Sequence, residues 1–129
     1  MKKIIFCFAV FVMTACGQGN YSYNIKDSNE EILAQVLKHT PLGTSWADVI
    51  KHCESLKLRC DSNESKGYRY QPSDYTKDKP RNVGAAHIKY YIGSYENTPY
   101  TSLDKTIYWG FDENKILIDI WVRQTIDAP

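Results

Sequence analysis

The spacing of apolar residues changes period once along this 129-residue chain, and that change limits the fold more than any other feature of it. Up to residue 56 the apolar side chains recur at helical spacing, and from residue 85 onward they alternate singly. Helix faces repeat about every 3.6 residues and strand faces every 2, so the chain reads as helices first and antiparallel strands afterwards. Ser28-Asn29-Glu30-Glu31 has the spacing of a capping box, in which Ser28 accepts from the amide three residues on and Glu31 reaches back. Ile32, Leu33, Val36 and Leu37 then share a face, and Pro41 and Gly43 end the helix. A second helix starts at Thr44-Ser45, where Ser45 and Asp48 stand at cap spacing. Trp46, Val49, Ile50, Cys53 and Leu56 form its core stripe, with Asp48, His52 and Ser55 on the opposite, solvated side.

After Cys60 the pattern is that of strands. KGYRYQ (66–71) reads as a short strand, and PSDYTKDKPRNVG (72–84) as a polar loop whose two prolines and charges exclude a central strand. AAHIKYYIG (85–93) sets Ile88, Tyr90 and Ile92 against His87, Lys89 and Tyr91. A loop containing Pro99 leads to TIYWGF (106–111), where Ile107, Trp109 and Phe111 alternate with Tyr108 and Gly110. Asp112-Glu113-Asn114 is a hairpin turn with Asn114 suited to positive φ, and KILIDIWVRQ (115–124) places Ile116, Ile118, Ile120 and Val122 on one face. The predicted fold class is α+β: two N-terminal helices packed on the Ile-rich face of a three- to four-stranded antiparallel sheet. No internal repeat or low-complexity tract interrupts it.

The first 15 residues stand apart from this pattern. Lys2-Lys3 precedes an apolar run, residues 4–13, that is well short of the roughly 20 residues needed to cross a bilayer, so the segment reads as a cleavable signal peptide. Met13-Thr14-Ala15-Cys16 resembles the bacterial lipoprotein box, with Met13 where leucine is usual. That resemblance implies cleavage before Cys16 and lipidation of its sulfur and new amine. Residues 1–15 are then signal, 16–29 a lipidated N-terminus and polar flexible tether, and 30–129 a single domain. Removing Lys2 and Lys3 leaves 14 cationic against 15 acidic side chains, which argues against nucleic-acid binding. The near-neutral mature chain has no polybasic run to hold anionic lipid, so two or three acyl chains must supply the membrane anchor, one chain holding only reversibly. By the same resemblance Gly17 is not the aspartate that retains lipoproteins at the inner membrane. The expected location is the cell envelope, on the inner leaflet of an outer membrane and facing the periplasm.

Cysteine usage agrees with export. Cys7 leaves with the signal and Cys16 carries lipid, so Cys53 and Cys60 remain as a pair for a disulfide in an oxidising compartment. Seven helical residues at about 1.5 Å each would separate their Cα atoms by roughly 10 Å, beyond the ~7 Å limit, so the helix must end before Cys60. The i, i+4 pair Asp48 and His52 supplies two ligands, which do not make a metal site, and His39 and His87 are isolated in sequence. No nucleophile elbow, phosphate-binding glycine loop, His-x-x-x-His pair or carboxylate constellation is present. The chain is therefore expected to be non-enzymatic and to carry no cofactor.

The second face of the sheet is the candidate working surface. Tyr91, Tyr108, Leu117 and Trp121 point away from the helices there, together with Lys89, Asp119 and Arg123. A solvated sheet face is normally polar, whereas tyrosine, tryptophan and arginine are the residues enriched at protein interfaces. Either a partner binds this face, or the tether with Tyr21 and Tyr23 or the loop with Tyr100 folds over it. TPLGTSWADVIKHC and the ending IYWGFDENKILIDIWVRQ resemble small envelope lipoproteins of the SmpA/OmlA outer-membrane assembly type, and also the β-lactamase inhibitor protein family. The resemblance spans residues 40–124. It implies a protein that works by contact; in the inhibitor the exposed sheet face binds the target enzyme, and here the matching face carries Tyr91, Tyr108 and Trp121. The chain departs from the inhibitor in having one helix-helix-sheet unit rather than two. The expectation is an immunity- or inhibitor-like binder that neutralises an envelope protein or toxin, with a structural accessory of outer-membrane assembly as the alternative.

Overall fold

The computed structural model describes residues 23–72 and 79–127. Cys16, the signal segment, Tyr21 and residues 73–78 lie outside the described residues. The described elements are α1 (Asn29–His39), α2 (Trp46–Ser55), β1 (Asp61–Asn63), β2 (Tyr68–Tyr70), β3 (Arg81–Val83), β4 (Ala86–Thr98), β5 (Thr101–Phe111) and β6 (Leu117–Asp127). The class is α+β. β1, β4, β5 and β6 form an antiparallel sheet in the order β1-β4-β5-β6, and β2 pairs with β3 in a separate two-stranded sheet.

Both helix starts follow from their caps. Ser28 Oγ accepts from the Glu31 amide and the Glu31 carboxylate accepts from the Ser28 amide, closing the capping box. Ser45 Oγ accepts from the Asp48 amide. α2 stops at Ser55, and Lys57 takes a left-handed conformation, φ 57°. The chain thus turns back before Cys60, which brings the Cα atoms of Cys53 and Cys60 to 6.4 Å and allows the disulfide between them.

The sheet departs from the sequence reading in five places. β4 and β5 run on to a two-residue turn at Pro99–Tyr100, with Thr98 opposite Thr101, where a loop was expected. Residues 94–105 have no apolar alternation because much of this stretch lies in solvent, so periodicity could not mark it. β1 is polar and exposed throughout, and is a strand only because Asp61–Asn63 pair with Lys89, Ile88 and His87. Arg81–Val83, read as loop, pairs with Tyr68–Tyr70. At the β5–β6 turn the positive φ falls on Lys115 (63°) instead of Asn114, while the Asp112 carboxylate accepts from the Asn114 and Ile116 amides.

The largest correction is at the start of β6. Gly110 faces Asp119 and Phe111 faces Leu117, so Ile118 is an extra residue on β6, a bulge. One extra residue inverts the alternation on its N-terminal side. Leu117 turns into the core at 1% exposure, whereas Ile116 and Ile118, expected inside, are 37% and 48% exposed. From Asp119 onward the predicted faces hold, with Ile120 and Val122 buried. Gly43 donates to the Leu117 carbonyl and Leu117 to the Thr44 carbonyl, both at 2.8 Å, so the inter-helix loop fastens onto the sheet edge there.

One apolar cluster joins these elements. Ile32 and Val36 of α1 and Val49 and Cys53 of α2 share it with Ile88, Ile107, Trp109, Phe111 and Leu117. Trp109 is fully buried and its indole N–H donates to Thr40 Oγ1 at 3.0 Å, so the tryptophan's polar atom is satisfied inside the core. Tyr23 and Asp27, read from sequence as part of the tether, are tied to the domain: Tyr23 is buried in the same cluster and the buried Lys105 ammonium donates to the Asp27 carbonyl.

Candidate functional site

The register assembles the sequence-predicted site residues row by row. Lys89, Tyr108 and Trp121 are cross-strand neighbours, Tyr91, Thr106 and Arg123 form the next row, and Asp119 lies opposite Gly110. All six candidates, Lys89, Tyr91, Tyr108, Asp119, Trp121 and Arg123, therefore share the face opposite Ile88, Ile107 and Ile120. Leu117 does not, because of the bulge.

That face is not open along its whole length. The β2–β3 hairpin lies across it, which neither the tether nor the Tyr100 loop was found to do among the described residues. Tyr68 stacks on Tyr108 with ring centroids 4.0 Å apart, and Tyr70 meets Trp121 edge-on at 5.6 Å. Tyr108 is consequently only 5% exposed, which corrects the expectation that it is an open contact residue. Burial, and next the Tyr68 hydroxyl beside it, push the Tyr108 phenol well above the ordinary tyrosine range.

The hairpin seats because the sheet beneath it has no side chain at one point. A Cβ on Gly110 would come within 2.5 Å of Val83 Cγ1 and 2.9 Å of the Val83 carbonyl carbon. Gly84, at φ 72°, makes the opposite approach, since a Cβ there would lie 2.6 Å from the Phe111 nitrogen. Val83 is fully buried in this contact, and the Ala85 amide donates to the Phe111 carbonyl at 2.7 Å. Sequence reasoning missed the cover, although the glycine in TIYWGF, standing where an outward side chain was due, was the available signal.

Around the edge of the cover, cations and aromatic rings interlock. Arg81 of β3 donates to both Asp119 carboxylate oxygens at 3.0 and 3.1 Å, and its guanidinium lies 5.0 Å from the Trp121 ring centroid. Arg123 lies 4.8 Å from the Tyr70 ring centroid and 6.0 Å from that of Trp121. Such contacts contribute roughly 0.5–1 kcal/mol each at exposed sites, enough to orient side chains more than to hold the fold. Tyr91 is 55% exposed and donates to Asp104 Oδ1 at 2.8 Å, a bond that raises its pKa above the ordinary value. The accessible surface is therefore a band of Lys89, Tyr91, Tyr70, Arg81 and Arg123 around buried Tyr108 and half-buried Trp121.

His52, read as solvated, is half-buried, and His39 and His87, read as isolated, each have a ring neighbour. His52 Nε2 lies 2.7 Å from the Tyr23 hydroxyl, its ring stacks on His39 at 5.5 Å, and it meets the edge of Trp109 at 6.4 Å. His87 Nδ1 contacts the Lys66 carbonyl at 2.8 Å and its ring is 6.1 Å from Tyr68. Burial first, and the neighbouring His39 second, lower the His52 pKa below its ordinary 6.5. An imidazole that resists protonation in the native state lets the unfolded chain take up the proton first as pH falls. Stability should drop as pH decreases through 6.5 and level off below the folded-state pKa. Thermal melts from about pH 8 to 5 check this, with His52→Gln expected to flatten that limb.

Among the described residues no group of three or more His, Cys, Asp or Glu is placed to hold a metal ion, and no helix is long and apolar enough to cross a membrane. Comparison with protein-family models, with curated proteins and with solved structures finds no match for this chain.

Proposed function

We propose that this chain is a membrane-anchored lipoprotein of the cell envelope, held by acyl chains on Cys16, that binds and restrains a protein partner without catalysing a reaction. In this reading the two helices close one face of the sheet and leave the other to the β2–β3 hairpin and the partner, the face that binds the target in the inhibitor family the chain resembles. The observation that supports it most is the band of aromatic and cationic side chains fixed to that sheet, in which Arg81 and Arg123 are oriented by Asp119, Trp121 and Tyr70. Pre-oriented arginine and tyrosine lose little conformational freedom on binding and are the residue types that dominate interface hot spots. Tyr91, Lys89 and Arg123 are the outward contacts; Tyr108 and Trp121 support them from beneath. The lipoprotein-box resemblance supports the anchor, and the resemblance to SmpA/OmlA-type and inhibitor-type proteins supports action by contact.

Deleting the gene tests the reading. Sensitivity confined to attack by toxin-bearing kin is the expected result, and a general outer-membrane permeability defect would point instead to a structural accessory of envelope assembly.

A further inference from the structure

We propose that the outer edge of β6, with the cationic groove beside it, takes an extended acidic segment of the partner as an added antiparallel or parallel strand. This rests on the binder reading above and names the chemistry of what is bound. β6 is the last strand of its sheet, so alternate residues direct N–H and C=O groups away from β5. Among the described residues, backbone hydrogen bonds from outside the sheet reach β6 only at Leu117, and none reaches the residues beyond it. The cationic groove flanks residues 121–126 of this edge, roughly 20 Å at about 3.4 Å per residue, enough for a segment of about six residues.

The space beside this edge is shaped for such a segment. A groove of about 970 Å³ runs along residues 121–126, between Asn29 at the start of α1 and the Tyr70 and Lys79–Arg81 side of the covering hairpin. Among the described residues its lining includes Lys79, Arg81 and Arg123 and no carboxylate. Asp119 is engaged by Arg81 from outside that lining. An added strand would place alternate side chains toward the guanidinium groups, where Asp or Glu fits, and the others toward Val122 and the exposed Ile126. Two copies of β6 pairing about a two-fold axis fit poorly. An axis at Val122, the middle of the strand, would bring the Arg123 and Arg81 clusters of both copies together.

The test uses the full-length protein in mild detergent and fluorescein-labelled ten-residue peptides: alternating Glu and Val, alternating Lys and Val, and the Glu-Val peptide N-methylated at every second amide. A ten-nucleotide oligothymidylate is the nucleic-acid control. The Glu-Val peptide should bind, should lose at least about tenfold in affinity on N-methylation, and should weaken as salt rises, since main-chain bonds and screened charges both contribute. Arg123→Gln should weaken binding severalfold, and Lys79→Glu combined with Arg123→Glu should abolish it. Equal binding of the Lys-Val peptide or the oligonucleotide, unchanged binding after N-methylation, or no binding of the Glu-Val peptide would overturn the proposal. The two readings fail separately. A Lys79→Glu variant that loses the Glu-Val peptide and still protects the deletion strain would remove the edge site and leave the binder reading, whereas a deletion strain with no sensitivity to kin would remove the binder reading whatever the peptides do.

Discussion

Leu117→Ala should lower stability by about 2–5 kcal/mol, while Ile118→Ala, one residue along, should change it by less than about 0.5 kcal/mol. Leu117 is 1% exposed and packs in the apolar cluster with Trp109 and Phe111, so truncation removes buried surface and leaves a cavity. Ile118 is 48% exposed on the bulge. Uninterrupted alternation through residues 115–124 predicts the reverse order. Urea unfolding of both variants decides between them, provided the slopes match so that midpoints report stability.

Gly110→Val should detach the β2–β3 hairpin from the sheet. The new side chain cannot share space with Val83, whose Cγ1 and carbonyl carbon lie 2.5 and 2.9 Å from the first added carbon. Overpacking of this kind costs about 1–3 kcal/mol when neighbours shift and more when backbone is met. Here backbone is met, so release of the cover is the expected relief. Tyr108 and Trp121 should then become accessible: near-UV circular dichroism should weaken, acrylamide should quench tryptophan more strongly, and Tyr108 should titrate nearer the ordinary tyrosine range. A variant with unchanged near-UV spectrum and melting temperature would contradict the cover.

The parts of the fold that the sequence made legible are those where a local rule and the tertiary structure agree. The capping box at Ser28, the Ser45 cap, the stripe Val49–Cys53 and the alternation through Ile107, Trp109 and Phe111 each carry their own signal. The disulfide followed from two remaining thiols and the geometry of a helix end. What escaped depends on contacts made at a distance. β1 is three polar residues that only the β4 partner defines, and β3 is a strand only beside β2. The bulge at Ile118 is one residue in a run of isoleucines and leucines, every one of which suits a core, so composition could not say which faced inward.

The candidate site was legible to a similar depth. Alternation alone put Lys89, Tyr91, Tyr108, Asp119, Trp121 and Arg123 on one face, and the register agrees. It could not foresee the covering hairpin, because Tyr68 and Tyr70 lie about 40–50 residues before their ring partners in β5 and β6. Nor could it foresee Arg81, which belongs to a stretch read as loop and yet completes the cationic band. Tyr23 and His52 meet across 29 residues in the same way, turning an apparent solvated histidine into a half-buried one.

Survival of the deletion strain against toxin-bearing kin, when it is complemented with variants, decides whether this is an anchored protein that acts through the aromatic and cationic band of this face. The wild-type chain should restore survival. Cys16→Ser should fail for lack of the anchor, and Tyr91→Ala combined with Arg123→Glu should fail although the protein accumulates, stays lipidated and melts at the wild-type temperature. Full protection by both variants would contradict the account.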